Sequence, residues 1–155
     1  MIMKRYIFRL LSVLLAVIAL TACQNDGQIG FWYGTWRVDS YECDGQAVMQ
    51  PAGQNTFFSF QGAVVSATIV SDDHGDHTRN YGTWTDDGLT LTLNFTHSDS
   101  STPQGGNGYT SPAWMGMTSE YPMTIEVAGR DTDDMTWSWL SRDGKTHIYK
   151  LHKTW

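Results

Sequence analysis

Leu89-Thr90-Leu91-Thr92-Leu93-Asn94-Phe95 is the stretch that decides the fold. Its strict alternation places four apolar side chains on one face of an extended chain and three polar side chains on the other. The pattern therefore predicts a β-strand that is buried on one face and solvated on the other. The same alternation recurs at 123–127 and at 135–139, and residues 63–70 form a run rich in β-branched side chains.

Turn-forming residues separate these runs at short intervals, with Asp-Gly pairs at 44–45, 87–88 and 143–144. No stretch has the spacing of a long amphipathic helix. We expect strands near 34–42, 46–50, 55–60, 63–71, 79–85, 88–96, 121–128, 133–141 and 145–153. Their meandering order predicts an all-β fold, a single antiparallel up-and-down β-barrel of about eight strands. A β-sandwich is the competing architecture, because turn spacing alone does not separate the two.

The start of the chain has the order of a bacterial lipoprotein signal. Basic residues at positions 4, 5 and 9 precede an apolar run at 10–20, as in a secretory signal, and the run is shorter than the roughly 20 residues of a membrane helix. Leu20-Thr21-Ala22-Cys23 then resembles the lipobox, in which small residues precede a cysteine that receives diacylglycerol. We expect a signal peptide at 1–22 and lipidation of Cys23.

The lipobox resemblance also implies a cellular location. A second acyl chain on the new amino terminus would make the anchoring stable. Gln24 rather than Asp follows the cysteine, which implies sorting to the outer membrane, with the periplasmic and the surface face both open. Residues 23–30 then form a lipidated tether, and 31–155 form the folded domain.

Charge and cysteine content limit the partners of the mature chain. Residues 1–22 contain three of the ten Lys and Arg residues and none of the sixteen Asp and Glu residues, so the remainder carries seven minus sixteen, or −9. Such acidity repels phosphate backbones and argues against nucleic acid as a partner. Once Cys23 is acylated, Cys43 has no partner for a disulfide within the chain, which leaves only pairing between chains.

The domain resembles the lipocalin-like domains of small bacterial lipoproteins. Gly34-Thr35-Trp36 looks like the Gly-x-Trp motif that opens the first lipocalin strand. The wider likeness comprises Phe57-Phe58-Ser59-Phe60, Gly82-Thr83-Trp84 with the turn 86–88, and Tyr149-Lys150-Leu151-x-Lys153. It implies that Trp36 plugs the closed end of a barrel and that a basic residue of the last strand, Lys150 or Lys153, packs over it.

Seven tryptophans are the most unusual feature of the composition. Trp137 and Trp139 share one face of a predicted strand with Met135. If this face lines the lumen, these side chains, with Trp84 and Trp114, form the binding site for a small apolar or amphipathic ligand. The alternative is that they simply fill a narrow eight-stranded barrel.

The connection 97–119 is much longer than an ordinary loop and contains Trp114, Met115 and Met117. It is expected to gate the barrel mouth, with packing against the outer wall as the alternative. A rival function follows from the same loop. In that case the protein is a solid-barrel interaction lipoprotein that binds another envelope protein through 97–119, with an exposed Trp-Met surface.

Metal binding and catalysis have little support. Residues 72–77 gather three carboxylates and two imidazoles, which zinc accepts as ligands, but they lie in a glycine-containing loop with no further ligand from a neighbouring strand. We expect a solvated hairpin tip and no metal. The chain has no Gly-x-Ser-x-Gly motif, no glycine-rich phosphate loop, and no His next to Cys43 in sequence. We therefore expect neither an enzyme nor a cofactor.

Overall fold

The computed structural model describes residues 30–71, 77–99 and 112–154. The expected lipidation site Cys23, nearly all of the expected tether, the loop 72–76 and residues 100–111 of the expected gate lie outside these residues. Residues from Phe31 onward form one compact unit. Within the described ranges, no helix is long and apolar enough to cross a bilayer.

Nine strands and two short 3-10 turns are the regular elements of the described residues. The strands are β1 Thr35–Cys43, β2 Gln46–Val48, β3 Gln54–Gln61, β4 Val64–Ser71, β5 His77–Asp86, β6 Thr90–Asp99, β7 Met123–Ala128, β8 Asp134–Leu140 and β9 Thr146–Lys153. The 3-10 turns are Gly30–Trp32, just before β1, and Ala113–Met115, between β6 and β7.

The sheet is a closed antiparallel barrel. Its strand order is β2-β1-β3-β4-β5-β6-β7-β8-β9, and β1 also pairs with β9 along its length, from Trp36 opposite Lys153 to Cys43 opposite His147. Eight strands therefore close the barrel, and β2 is an additional strand that pairs with the end of β1. The predicted up-and-down barrel is confirmed, and the sandwich is ruled out because closure through β1 and β9 joins all strands in one sheet.

Alternation along each strand builds the core, as the sequence predicts. In β6, Leu91, Leu93 and Phe95 point inward and are at most 1% exposed. Leu89 was predicted to share their face but is 80% exposed and precedes the strand. Its position follows from the turn, where the Asp87 carboxylate accepts the backbone N–H groups of residues 89 and 90.

Several strand boundaries differ from the predicted ones by one to three residues, and those of β6 and β2 have an identifiable cause. The sequence predicts that residues 97–99 belong to the gating loop, but they are part of β6 and pair with Arg79–Tyr81 of β5, beyond a bulge between Tyr81 and Gly82. The ladder resumes after this irregularity, so the strand runs longer than its alternating sequence. β2 is shorter than expected and ends at Val48, close to Pro51, which cannot donate to a strand ladder.

Candidate functional site

One end of the barrel is closed by tryptophans. Trp36 is fully buried under the turn Gly30–Trp32, and its Nε1 donates to the Trp32 carbonyl at 3.2 Å. The Lys153 ammonium lies 5.4 Å from the centre of the Trp36 ring and donates to the Phe31 carbonyl at 3.3 Å. Of the two lysines proposed for this position, Lys153 thus lies over Trp36, while Lys150 is exposed on the outer wall.

Aromatic and aliphatic side chains fill the barrel above this plug. Phe58, Phe95 and Trp137 are at most 1% exposed, and the Trp137 ring packs 4.8 Å from that of Phe58. Met135 is also buried, and its Sδ accepts the Trp137 Nε1–H at 3.1 Å. Met135 and Trp137 are therefore part of the hydrophobic core. Trp84, which packs 4.9 Å from the Phe60 ring, belongs to the same aromatic cluster.

We call the opposite end of the barrel the mouth. A cleft of about 570 Å³ lies there, and we call it the mouth cleft. Here β1 and β8 end and β9 begins, and the cleft is lined by side chains of these strands and of residues 114–121. Of the five predicted ligand-binding residues, Trp139 and Trp114 line this mouth cleft, whereas Trp84, Trp137 and Met135 do not. The sequence alone did not identify the polar wall, which includes Tyr41, Ser141 and His147.

Residues 112–117, which we call the mouth segment, insert into this end of the barrel. Met115 is fully buried and Met117 is 5% exposed, so these two side chains do not form the exposed surface that would favour the rival function. The Met115 carbonyl accepts the Tyr149 hydroxyl proton at 2.7 Å, and Trp114 Nε1 donates to the Thr56 hydroxyl at 3.1 Å. The part of the connection that the structure describes is therefore packed within the wall.

A chain of hydrogen bonds crosses the floor of the cleft. The Tyr41 hydroxyl lies 2.9 Å from His147 Nδ1, and His147 Nε2 lies 3.1 Å from Ser141 Oγ. Ser141 Oγ also lies within hydrogen-bond distance of the Asp143 carboxylate and the Lys145 carbonyl, and it donates its single proton to one of these acceptors. In this arrangement Oγ accepts from His147 Nε2–H.

The direction of this chain assigns the tautomer of His147. With its proton on Nε2, the neutral ring has a free lone pair on Nδ1, which accepts the Tyr41 proton. A nucleophilic serine would instead donate its proton to the imidazole. With this tautomer, Ser141 does not donate its proton to the imidazole.

Burial and hydrogen bonding set the ionisation of these groups. Burial, and next the nearby Cys43, raise the pKa of Tyr41 to about 12. Burial lowers the pKa of His147 below its ordinary value of 6.5 and raises that of Tyr149. Hydrogen bonds from Ser141 and Lys145 lower the pKa of Asp143 to about 2. At neutral pH the floor of the cleft is thus uncharged, and a carboxylate lies at its edge.

Charged and aromatic side chains form the rim. The Arg142 guanidinium lies 3.8 Å from the centre of the Tyr121 ring, and Lys145 pairs with Asp143 at 3.0 Å. Glu120 adds a second carboxylate, and the half-buried Cys43 lines the same cleft as a free thiol. Within the described ranges no three His, Cys, Asp or Glu side chains are grouped to hold a metal.

No protein-family model and no curated protein matches the chain. Among solved structures, the chain is similar to the crystal structure, at 2.60 Å resolution, of an uncharacterized protein from Bacteroides eggerthii. The similarity covers 79% of this chain and 98% of the other, with a TM-score of 0.56 and 17% sequence identity. At this identity the likeness shows a shared fold.

Proposed function

We propose that the protein is a membrane-anchored, lipocalin-like lipoprotein that binds a small amphipathic molecule in the mouth cleft. The observation that carries the proposal is the cleft itself. Its volume of about 570 Å³ is within the range of small-molecule sites, roughly 300 to 1,000 Å³. Such sites combine apolar walls with a few polar groups that orient the ligand.

The lining of the mouth cleft supports an amphipathic ligand rather than a purely apolar one. Trp114, Trp139 and Tyr121 supply aromatic surface, which suits a flat or apolar group. Arg142 and Glu120 on the rim supply a charged donor and a charged acceptor. The expected apolar lumen is occupied by core side chains, so the site that we propose is the mouth and not the interior.

A binding role, rather than an enzymatic one, is consistent with the hydrogen bonds of the cleft floor. Ser141 donates away from His147, and Tyr41 keeps its proton because its pKa is raised to about 12. These directions leave the cleft without an activated nucleophile among Tyr41, Ser141 and His147. We accordingly propose a carrier or receptor without a catalytic step.

The anchor is proposed from the sequence. The order of basic residues, apolar run and Leu20-Thr21-Ala22-Cys23 supports cleavage before Cys23 and diacylglycerol on its thiol. Gln24 supports the outer membrane as the destination. The lipid would tether the barrel through residues 23–30.

The filled interior favours a second candidate function. A barrel whose core side chains Phe58, Phe95 and Trp137 are at most 1% exposed is also a suitable rigid support for a protein contact. In that case the protein is an interaction lipoprotein that docks onto another envelope protein through the connection 97–119, and the buried Met115 and Met117 take no part in the contact. This candidate predicts a protein with no small molecule bound.

Mass spectrometry of the protein purified gently from its own host tests both candidates. Under native conditions we expect a reproducible extra mass that disappears on denaturation. The denatured mass should equal residues 23–155 plus diacylglycerol and one further acyl chain, and a Cys23→Ala variant should lack these lipids. An unchanged native mass would overturn ligand binding and favour the interaction role, and a denatured mass without lipid would overturn the anchor.

A further inference from the structure

The mouth segment, residues 112–117, lies directly on the hydrogen-bonded pair of Tyr41 and His147. Gly116 has a φ of +66°, and a Cβ atom at this position would lie 2.7 Å from both the Tyr41 hydroxyl and His147 Cε1. No side chain fits between the segment and the pair, so glycine is required here both for its backbone conformation and for the close approach. The segment thus covers most of the imidazole, which is 5% exposed where it lines the cleft.

Aromatic rings enclose His147 on its other sides. The Trp139 ring stacks on the imidazole at 4.8 Å, and the Tyr41 ring lies parallel to it at 5.9 Å. Both ring nitrogens are occupied, Nε2 as a donor to Ser141 and Nδ1 as an acceptor from Tyr41. This environment fits the neutral ring, because the imidazole is only 5% exposed and a charged ring would lose most of its hydration there.

We propose that His147 is a pH-sensitive latch on the mouth segment: protonation of its Nδ1 releases residues 112–117 from the barrel and opens the mouth cleft in mildly acidic conditions. The proton on Nδ1 reverses the bond with Tyr41, whose hydroxyl oxygen then accepts, and it places a cation in a site that is only 5% exposed. Lifting the segment lets water reach the imidazolium. The hydrogen bonds from the segment to Tyr149 and Thr56 break in the same step.

The charged and titratable groups around His147 oppose one another. Asp143 and Asp44 favour the imidazolium, Lys145 disfavours it, and burial outweighs these charges, so that the pKa of His147 falls below 6.5. The other titratable groups of the packed elements are Tyr41 and Cys43 of β1, Tyr149 of β9, and Glu120 and Arg142 on the cleft rim. Because released His147 regains its ordinary pKa, acid favours the released state.

Peroxide oxidation of methionine measures this release, because the reaction follows exposure of the thioether. In the full-length protein in detergent, we expect oxidation of Met115 and Met117 to accelerate as pH falls from 7.5 to 5. The increase should be no steeper than about tenfold per unit of pH, which is the limit for a release linked to one proton. Met49, which is 85% exposed, gives the reference rate.

The same oxidation experiment reports whether the whole barrel opens. Met123 and Met135 lie in the barrel core at 1% and 2% exposure, and we expect them to stay protected at pH 5. Acceleration of all four buried methionines together would overturn the proposal, because it would reflect global unfolding. Equal rates for Met115 at pH 7.5 and pH 5 would also overturn it.

Two variants identify the titrating group. His147→Gln cannot titrate, and we expect it to abolish the pH dependence, whereas His152→Gln on the outer wall should leave it unchanged. A pH dependence that persists in His147→Gln would contradict the latch.

Only one part of the inference rests on the proposed function, namely that a small molecule enters the cleft once it is open. Release of residues 112–117 is measured without a ligand. If release is observed and native mass spectrometry finds no bound molecule, the latch stands and the proposed ligand fails. If a bound molecule is found and residues 112–117 show no pH-dependent release, the proposed ligand stands and the latch fails.

Discussion

Asp86 ties together three parts of the chain at the closed end. Its carboxylate accepts Trp32 Nε1–H at 2.8 Å and both Arg130 Nη groups at 2.7 and 2.9 Å. The Asp86 and Arg130 side chains are only 17% and 20% exposed. Burial alone would raise the pKa of Asp86, but the hydrogen bonds from Arg130, Trp32 and Gly88 lower it below 3.8.

Asp86→Asn should therefore reduce the free energy of unfolding at pH 7 by about 2 kcal/mol, since it removes charge-assisted hydrogen bonds from half-buried donors. The contribution of Asp86 is present above pH 3.8 and is lost as pH falls through the lowered pKa. The difference between wild type and variant should thus narrow in acid. Urea titrations between pH 7 and pH 2 measure it.

Asp39→Asn is the matched control. Its pair with Arg37 is 42% and 45% exposed, so water screens it and the loss should be much smaller. Equal losses in the two variants would contradict the role of Asp86 at the closed end.

The roles of single residues were predictable where the residues belong to a recognisable sequence motif. Trp36 and Lys153 were named through the resemblance to lipocalin-like domains, and the structure places them together. Trp32 and Arg130 were not found, because their bonds to Asp86 span 54 and 44 residues of sequence and no local pattern reports such a contact.

At the scale of elements, β5 and β6 approach each other closely at Gly82. A Cβ atom there would overlap the Asn94 carbonyl and lie 2.8 Å from Phe95 Cα. These are backbone atoms of a paired strand, which cannot move aside independently. The glycine of Gly82-Thr83-Trp84 is therefore required by strand pairing.

Gly82→Ala should force β5 and β6 apart and cost about 3 kcal/mol in the free energy of unfolding. Gly62→Ala, in the turn between β3 and β4, meets nothing within 4 Å and has a φ of +54°, so only backbone strain of about 1 kcal/mol is expected. Denaturant unfolding of both variants gives the comparison. A cost for Gly82→Ala no larger than that for Gly62→Ala would refute the close approach.

Strands were predictable because their alternation is local. The sequence of β9 places His147, Tyr149 and Leu151 on one face, and all three are buried, so the inward position of His147 was open to sequence reasoning. Insertion of residues 112–117 was not, because it depends on Gly116 meeting side chains of β1 and β9 that are distant in sequence.

At the scale of the whole molecule, the barrel has two different ends. One is closed by Trp32, Trp36 and the Asp86 contacts, and the other holds the mouth cleft under residues 112–117. Closure of the barrel followed from strand count and order. Which aromatic residues fill the core and which line a cleft depended on strand register and on the inserted segment, neither of which the sequence pattern specifies.

The central claim is that a small molecule binds in the mouth cleft, and native mass spectrometry of paired variants from the host tests it most directly. Tyr121→Ala with Arg142→Ala removes part of the cleft wall, and Tyr33→Ala with Arg37→Ala makes the same changes outside the cleft. We predict that the extra mass of the wild-type protein persists in the second variant and is lost from the first. An extra mass retained by the first variant, or lost from both, would contradict the mouth cleft as the binding site.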